Sequence, residues 1–198
     1  GRGAGKGVSC NTGDRNTFIG TYAGANNCSG SFNTFIGEGA GQHAGVNAGG
    51  IYIQSCCNVA IGYEAGKSVR GKWNISVGYN AGHNSGNSTS SSCSSGAGNI
   101  VMGYQSGKSL TTGQYNQFFG TYSAKCVSSG SGNISLGYCA GENITTGSYN
   151  VAIGYNVDPA SATGDTQLAI GCGNSKWITG DSSFHIQPGA GIRDKDGD

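Results

Sequence analysis

Two segments of this chain come close to a phosphate-binding motif. Residues 62–68 and 103–109 both read G-x-x-x-G-K-S. A phosphate-binding loop has the spacing G-x-x-x-x-G-K-[ST], in which backbone N–H groups surround the phosphates and the lysine neutralises them. Both segments are one residue too short, and both belong to a repeat that runs along the chain. We therefore expect no nucleotide site.

Catalytic and metal-binding groups are equally sparse. The ten acidic residues are scattered, which offers little for paired-carboxylate chemistry, and no G-x-S-x-G nucleophile elbow occurs. His43, His83 and His185 do not lie at metal-ligand spacing from cysteines. Residues 194–198 begin like a calcium loop but lack the ligands that should follow. We expect no catalytic residue, no metal and no cofactor, and hence no enzyme.

The eight cysteines form no C-x-x-C pair. Disulfides in an oxidising compartment are the favoured interpretation, with buried small hydrophobic side chains as the alternative. Cys10 and Cys28 lie ten and nine residues before successive repeat glycines, so they would be neighbours in a stack. Cys57 with Cys93 is a second candidate pair, because both fall in lengthened repeats.

Five N-x-[ST] sequons are present, a number that chance alone explains. Asn74 and Asn133 belong to a repeated asparagine column, where a glycan would disrupt stacking. Asn27, Asn87 and Asn143 are predicted to lie in loops, so they are the candidate N-glycosylation sites.

The composition excludes several classes of protein. Glycine supplies 39 of 198 residues, charged residues only 11%, and the net charge is +1. The 11 basic residues form no stripe that would neutralise phosphates, which argues against nucleic acid as a partner. No apolar run approaches the roughly 20 residues of a membrane helix, so we expect no membrane insertion. Glycine does not recur at every third position, so collagen is excluded.

A five-residue phrase occurs nine times: an Asn, three mostly apolar residues and a Gly. Successive copies are 17 residues apart five times, 25 apart twice and 16 apart once. The first position is Asn16, Asn33, Asn58, Asn74, Asn99, Asn116, Asn133, Asn150 and Gln167; the last is Gly20, Gly37, Gly62, Gly78, Gly103, Gly120, Gly137, Gly154 and Gly171. A fixed period is the signature of a repeat architecture.

The three residues between Asn and Gly predict a short β-strand in each copy, because they are rich in β-branched and aromatic residues. Alternate residues of a strand share a face. We expect the column before each glycine to point inward: Ile19, Ile36, Ile61, Val77, Met102, Phe119, Leu136, Ile153 and Ile170. The column two residues before it, Thr17 in the first copy, should point inward as well. Ile61→Asp or Ile153→Asp would then unfold the protein.

The middle strand residue is expected to point outward. Phe18, Phe35 and Phe118 in that column would cover a subunit contact or lie under the protein's own loops. The asparagines are interpreted as a ladder of side-chain amides, and the glycines as corners that accept a positive φ. A second stripe consists of the tyrosines that follow the glycines. The sequence thus predicts an all-β fold, a parallel β-solenoid (β-roll) of about nine turns with a 16–17-residue period and two lengthened turns.

The chain divides into three predicted parts. Residues 1–9 form a Gly-rich arm, residues 10–175 the β-solenoid repeats, and residues 176–198 a C-terminal strand or cap and a tail. The extra residues of the lengthened turns, 41–55 and 83–98, are either binding loops or solvated loops. The ends favour head-to-tail pairing of subunits.

Two phrases, residues 58–62 and 150–154 (both Asn-Val-Ala-Ile-Gly), resemble the head repeats of trimeric autotransporter adhesins. The 17-residue form over residues 133–150 is similar to repeats of phage tail fibres and related extracellular fibre proteins. The resemblance covers roughly residues 16–171. It implies a parallel β-roll and a fibrous or adhesive role, and it implies no particular ligand.

Together these patterns predict a non-enzymatic structural protein, the building block of a secreted extracellular fibre or surface adhesin. Self-association into a filament or trimer is the expected partnership, with a surface glycan or receptor as a possible further partner. The alternative function is a phage or virus tail-fibre module or a carbohydrate- or receptor-binding module, which the tyrosine stripe around Tyr79 and Tyr104 would favour.

Overall fold

The computed structural model describes residues 1–6, 13–27, 29–45, 55–83 and 96–189. These residues form eleven β-strands in one sheet, and they contain no α-helix. The strands are β1 (Thr17–Ile19), β2 (Thr34–Ile36), β3 (Val59–Ile61), β4 (Ile75–Val77), β5 (Ile100–Met102), β6 (Gln117–Phe119), β7 (Ile134–Leu136), β8 (Val151–Tyr155), β9 (Leu168–Cys172), β10 (Ser175–Gly180) and β11 (Ile186–Pro188).

Strands β1 to β9 are parallel and lie in sequence order, so each turn of the chain adds one strand to the sheet. Each residue pairs with the residue at the same place in the next repeat. The lengthened turns keep this register, since Phe35 pairs with Ala60 and Ser76 with Val101. The predicted parallel β-solenoid is confirmed. Its nine strands span about eight turns, close to the nine predicted.

The faces of the strands are the reverse of our prediction. The middle residue of each triplet points inward, and Phe35 and Phe118 are 0% exposed. The columns expected inside lie on the outer face, where Ile61 is 38% exposed. The asparagine explains why: it lies two residues before the middle residue, and alternate residues share a face. An interior asparagine ladder therefore requires the middle column to be interior too. Phe35 and Phe118 consequently cover no subunit contact.

Two turn columns complete the interior. Three residues after each corner glycine from Gly20 to Gly154 stands a buried side chain, usually Ala or Ser, and seven residues after it an aliphatic one in most of the described turns. The first column contains Ala23, Ala40, Ala65, Ala81, Ser106, Ser123, Ala140 and Val157; the second includes Val69, Leu110, Val127 and Ile144. The core therefore consists of many thin layers of side chains, one for each turn. Near one end the Phe18 ring stacks on the Phe35 ring, with their centroids 5.4 Å apart.

Two features of the backbone require glycine at the corners. From Gly20 to Gly154 their φ angles lie between 126° and 135°, a region that disfavours side chains. The backbone of the next turn also approaches them closely, so that a methyl group on Gly37 would collide with the Gly62 carbonyl. Gly171 differs, because it has no positive φ and pairs with Gly154 inside the longer strands β8 and β9.

The two ends of the stack differ from its middle. Residues 1–6 lie on the first turn, with Gly5 N donating to the Ala23 carbonyl at 2.8 Å, instead of extending as an arm. At the other end β10 and β11 pair antiparallel, and β10 covers the free edge of β9. The strands β10 and β11 account for the strand or cap expected within residues 176–198. The described ranges contain no helix long and apolar enough to span a membrane.

Candidate functional site

From Asn33 to Gln167 the asparagine column forms a continuous ladder of buried amides. The Asn116 side chain accepts from the backbone and side-chain nitrogens of Asn133, at 2.8 and 3.1 Å. Its own Nδ2 donates to Asn99 Oδ1 at 3.0 Å and to the Gly130 carbonyl at 2.9 Å. Gln167 continues the pattern by donating to Asn150 Oδ1. These amides hold successive turns together, and none is available to a ligand.

The outer face of β1 to β9 carries the two strand columns that we had placed inside. It is bordered by aromatic residues on both sides, one column just before the asparagines and another just after the corner glycines. From Cys57 to Tyr155 these four columns contain no charged residue. We call this surface the sheet face. Large apolar surfaces of this kind mark interaction sites.

The border after the glycines is the tyrosine ladder: Tyr63, Tyr79, Tyr104, Tyr122, Tyr138 and Tyr155. The centroids of Tyr63 and Tyr79 are 5.0 Å apart and those of Tyr79 and Tyr104 5.2 Å, with nearly parallel planes. Tyr63, Tyr79 and Tyr104 therefore cover one another's faces, as do Tyr138 and Tyr155, whereas Tyr122 lies edge-on to its two neighbours. Burial and the adjacent Tyr104 raise the pKa of Tyr122, and a hydrogen bond with Cys139 raises the pKa of Tyr138.

The border before the asparagines is the aromatic row: Phe32, Trp73, Tyr115 and Tyr149. These side chains are among the most exposed on the molecule, at 53, 61, 63 and 65%. They occupy every second turn, and the turns between them carry Cys57, Gly98 and Gly132 in the same column. The Tyr115 ring lies over Gly98, where an added methyl group would come within 2.7 Å of it. Sequence analysis missed this row; the alternation of aromatic and small residues was the available signal.

The turns carry the charged groups. Glu64 forms an ion pair with Lys67, and its second carboxylate oxygen lies 3.4 Å from His83 Nε2; Lys125 pairs with Glu142 at 3.5 Å. Burial raises the pKa of Glu64, but its bonds to Lys67 and His83 outweigh burial, so the net pKa is lowered. Residues 62–68, the first near-match to a phosphate loop, form an ordinary corner whose lysine is bound to Glu64.

The three predicted N-glycosylation sites differ in their surroundings. Asn27 is wrong as a glycosylation site, because it is 1% exposed and its Nδ2 donates to the Gly30 carbonyl. Asn143 lies on the surface and donates to Asp158 Oδ2 at 2.9 Å. Asn87 lies outside the described residues, as do most of the two insertions.

The predicted disulfides find no support. Cys57 is a free, exposed thiol. Cys10, Cys28 and Cys93 lie outside the described residues. Cys126 and Cys172 are likewise free and exposed, and Cys139 is free and buried. In the described part of the chain, no group of three or more His, Cys, Asp or Glu residues is arranged to hold a metal ion.

Comparison of the chain with family models, with curated proteins and with solved structures finds no match.

Proposed function

We propose that this protein is a non-enzymatic, rod-shaped building block of an extracellular fibre or surface adhesin. The observation that carries the proposal is the unbroken parallel pairing from β1 to β9. Nine strands at about 4.8 Å spacing make a sheet about 40 Å long. The rod serves as a rigid support, and the sheet face is its adhesive surface.

The hydrogen-bond partners of the buried polar groups support a structural role. The ladder amides bond to one another and to backbone carbonyls, so their hydrogen bonds hold the turns in register. Ligand-binding sites usually need polar groups that point into a concavity. Here the buried polar chemistry is directed along the axis of the rod.

The dimensions of the sheet face support an adhesive role. Its four columns span roughly 20 Å, which with the length of the sheet gives about 800 Å². That is the area that each partner contributes to a standard-sized protein interface. Arg15 and Glu38 lie in these columns at the first two turns, but from Cys57 to Tyr155 the columns carry no charged residue, which is unusual for a face exposed to water.

We place contacts between copies at the ends of the rod. β1 and β11 each have a single strand neighbour in the described sheet, and a free strand edge is a template for pairing with another chain. Such end-to-end assembly leaves the sheet face accessible.

Negative-stain electron microscopy of the purified full chain tests both parts of the proposal. We expect elongated particles joined end to end into filaments. Discrete short rods would contradict end-to-end assembly while leaving the rod intact. Compact, nearly spherical particles would overturn the rod itself.

A second candidate function, a carbohydrate-binding module, is favoured by the exposed aromatic row. The tyrosine ladder, which first suggested it, is less suited to that task because most of its rings stack on a neighbouring ring.

A further inference from the structure

We propose that the aromatic row binds an uncharged β-1,4-linked polysaccharide laid along the axis of the rod. The inference rests on the adhesive role proposed above and names the ligand class of that surface. The binding residues are Phe32, Trp73, Tyr115 and Tyr149.

The backbone of the row gives the first argument. Phe32, Trp73, Tyr115 and Tyr149 have φ angles of 59°, 60°, 57° and 59°. This left-handed region is unfavourable for bulky side chains and favourable for glycine, and Gly98 and Gly132 occupy the same column with φ of 69° and 68°. Glycine would therefore be the less strained choice at every turn. Arg15, Cys57 and Thr166 in the same column have φ of 58°, 62° and 52°, so the turn imposes this conformation on whatever residue stands there. Bulky aromatic side chains that remain more than half exposed at such positions point to a function outside the core.

The spacing of the row gives the second argument. Ring centroids in the tyrosine ladder advance by 5.0 and 5.2 Å per turn, so rings on every second turn recur at about 10 Å. In an extended β-1,4-linked glycan, one sugar residue is about as long as one strand spacing. Successive sugars are flipped, so the same ring face recurs at every second sugar. Four rings at two-turn spacing thus match four successive disaccharides.

The accessibility of the rings gives the third argument. Sugar C–H groups stack on the electron-rich face of an aromatic ring, so a binding ring must have an open face. Rings of the aromatic row are separated by a turn bearing Cys57, Gly98 or Gly132, and none is in ring contact with another described aromatic residue. In the tyrosine ladder, by contrast, Tyr63, Tyr79 and Tyr104 cover each other's faces. At one end the Arg15 guanidinium lies 5.2 Å from the Phe32 centroid, which makes Trp73, Tyr115 and Tyr149 the principal contacts.

The charge of the surface selects a neutral polymer. Beside the row, the sheet face carries no charged residue from Cys57 to Tyr155. Apart from Arg15 at Phe32 and Lys72, which precedes Trp73 in the chain, a charged polysaccharide would meet no counter-charge along the row, whereas a neutral one loses nothing. Cellulose and chitin share the linkage and the neutral charge, so both are appropriate probes.

Co-sedimentation of the full chain with microcrystalline cellulose, with chitin and with insoluble amylose tests the proposal. Amylose is the control polymer, because its α-1,4 linkage coils the chain and destroys the two-residue repeat. The binding variants are Trp73→Gly and Tyr115→Gly, singly and together. They install the residue that already occupies the column at Gly98 and Gly132, so we expect the melting temperature to stay the same or rise. Tyr79→Ala in the tyrosine ladder is the matched aromatic control.

We expect binding to cellulose or chitin, with little binding to amylose. Each glycine variant should weaken binding roughly tenfold and the double variant more, while Tyr79→Ala leaves it unchanged. Equal binding of amylose, no binding of either β-1,4 polymer, or full binding by the folded double variant would overturn the proposal. So would a change from dimer to monomer in the double variant by light scattering, which would make the row a contact between copies. Rods or filaments in the electron microscope without polysaccharide binding would leave the proposed structural function standing.

Discussion

The two sides of the same short strands follow different rules. The inner side alternates a buried amide with a buried Phe, Val, Ala or Ser, and Asn99, Val101, Asn116 and Phe118 are 0% exposed. The outer side carries the more uniformly apolar columns, yet Ile61, Ile75 and Met102 remain more than a third exposed. In a coil this narrow, volume and hydrogen bonding decide what lies inside, and hydropathy does not. Substitutions at three pairs of adjacent residues and at one single site test this difference between the two sides. They follow from the largest expected effect to the smallest.

The sharpest test places the same carboxylate on each side of β3. Ala60→Asp puts an unpaired charge into the interior, and we expect loss of the folded state, since such burial costs several kcal/mol. Ile61→Asp puts it on the outer face, in water, and should cost about 1 kcal/mol through strand propensity. Circular dichroism melting of both variants measures the difference. If Ile61→Asp unfolded the chain and Ala60→Asp did not, the assignment of the two faces would be reversed.

Two adjacent phenylalanines on β6 test packing without charge. Phe118→Ala removes a fully buried ring and should cost about 3–5 kcal/mol. Phe119→Ala removes a half-buried ring on the outer face, and we expect less than half of that cost. Urea unfolding followed by tyrosine fluorescence gives both values. Equal costs would show that the outer face is covered in solution.

The ladder and its outer neighbour form the next pair. Asn116→Ala leaves the buried Asn133 backbone N–H and the Gly130 carbonyl without partners, and should cost about 2–3 kcal/mol. Gln117→Ala, on the exposed side of the same strand, should change stability by less than about 0.5 kcal/mol. Thermal unfolding of both variants supplies the comparison. A near-neutral Asn116→Ala would show that water replaces the ladder bonds.

The smallest effect concerns pH, because the described inner columns contain no titratable side chain. On the turns, burial and then Lys67 lower the pKa of His43, and Asn26 Nδ2 lies 3.1 Å from His43 Nδ1, where it donates to a neutral ring. A His with a lowered pKa stabilises the fold above its unfolded pKa of about 6.5, and that stability is lost as pH falls below it. His43→Gln should therefore flatten the melting temperature between about pH 7 and pH 5. An unchanged slope would assign the dependence to another group.

Sequence alone gives the repeat, the strand positions and the corner glycines, because each depends on spacing. It failed on the strand faces because we ranked columns by hydropathy. The position of the asparagine in each repeat was the better guide. Asn116 and Phe118 are two residues apart and therefore point to the same side of the strand, so a buried asparagine ladder requires a buried phenylalanine. The small column at Ala23, Ala40 and Ala65 gave the same signal, since only a tight interior needs alanine so regularly.

The candidate binding surface was harder to predict. An aromatic residue before an asparagine does not indicate a binding residue until its backbone is known to adopt a positive φ. That conformation explains why Gly98 and Gly132 share a column with Trp73 and Tyr115. Asn27 was misjudged for a similar reason, because its place in the buried column seven residues after Gly20 is evident only from the packing.

The pairing of each turn with only its neighbours has a mechanical consequence. If the two ends are pulled apart along the axis, the turns bear the load in series, and the weakest turn opens first. Each opened turn of 17 residues would release about 60 Å of extended chain, and each lengthened turn of 25 residues about 85 Å. A single-molecule force trace should therefore show two step lengths, with the longer step occurring twice. Such a chain dissipates work in small increments and stays attached while it extends, as a tether between surfaces must.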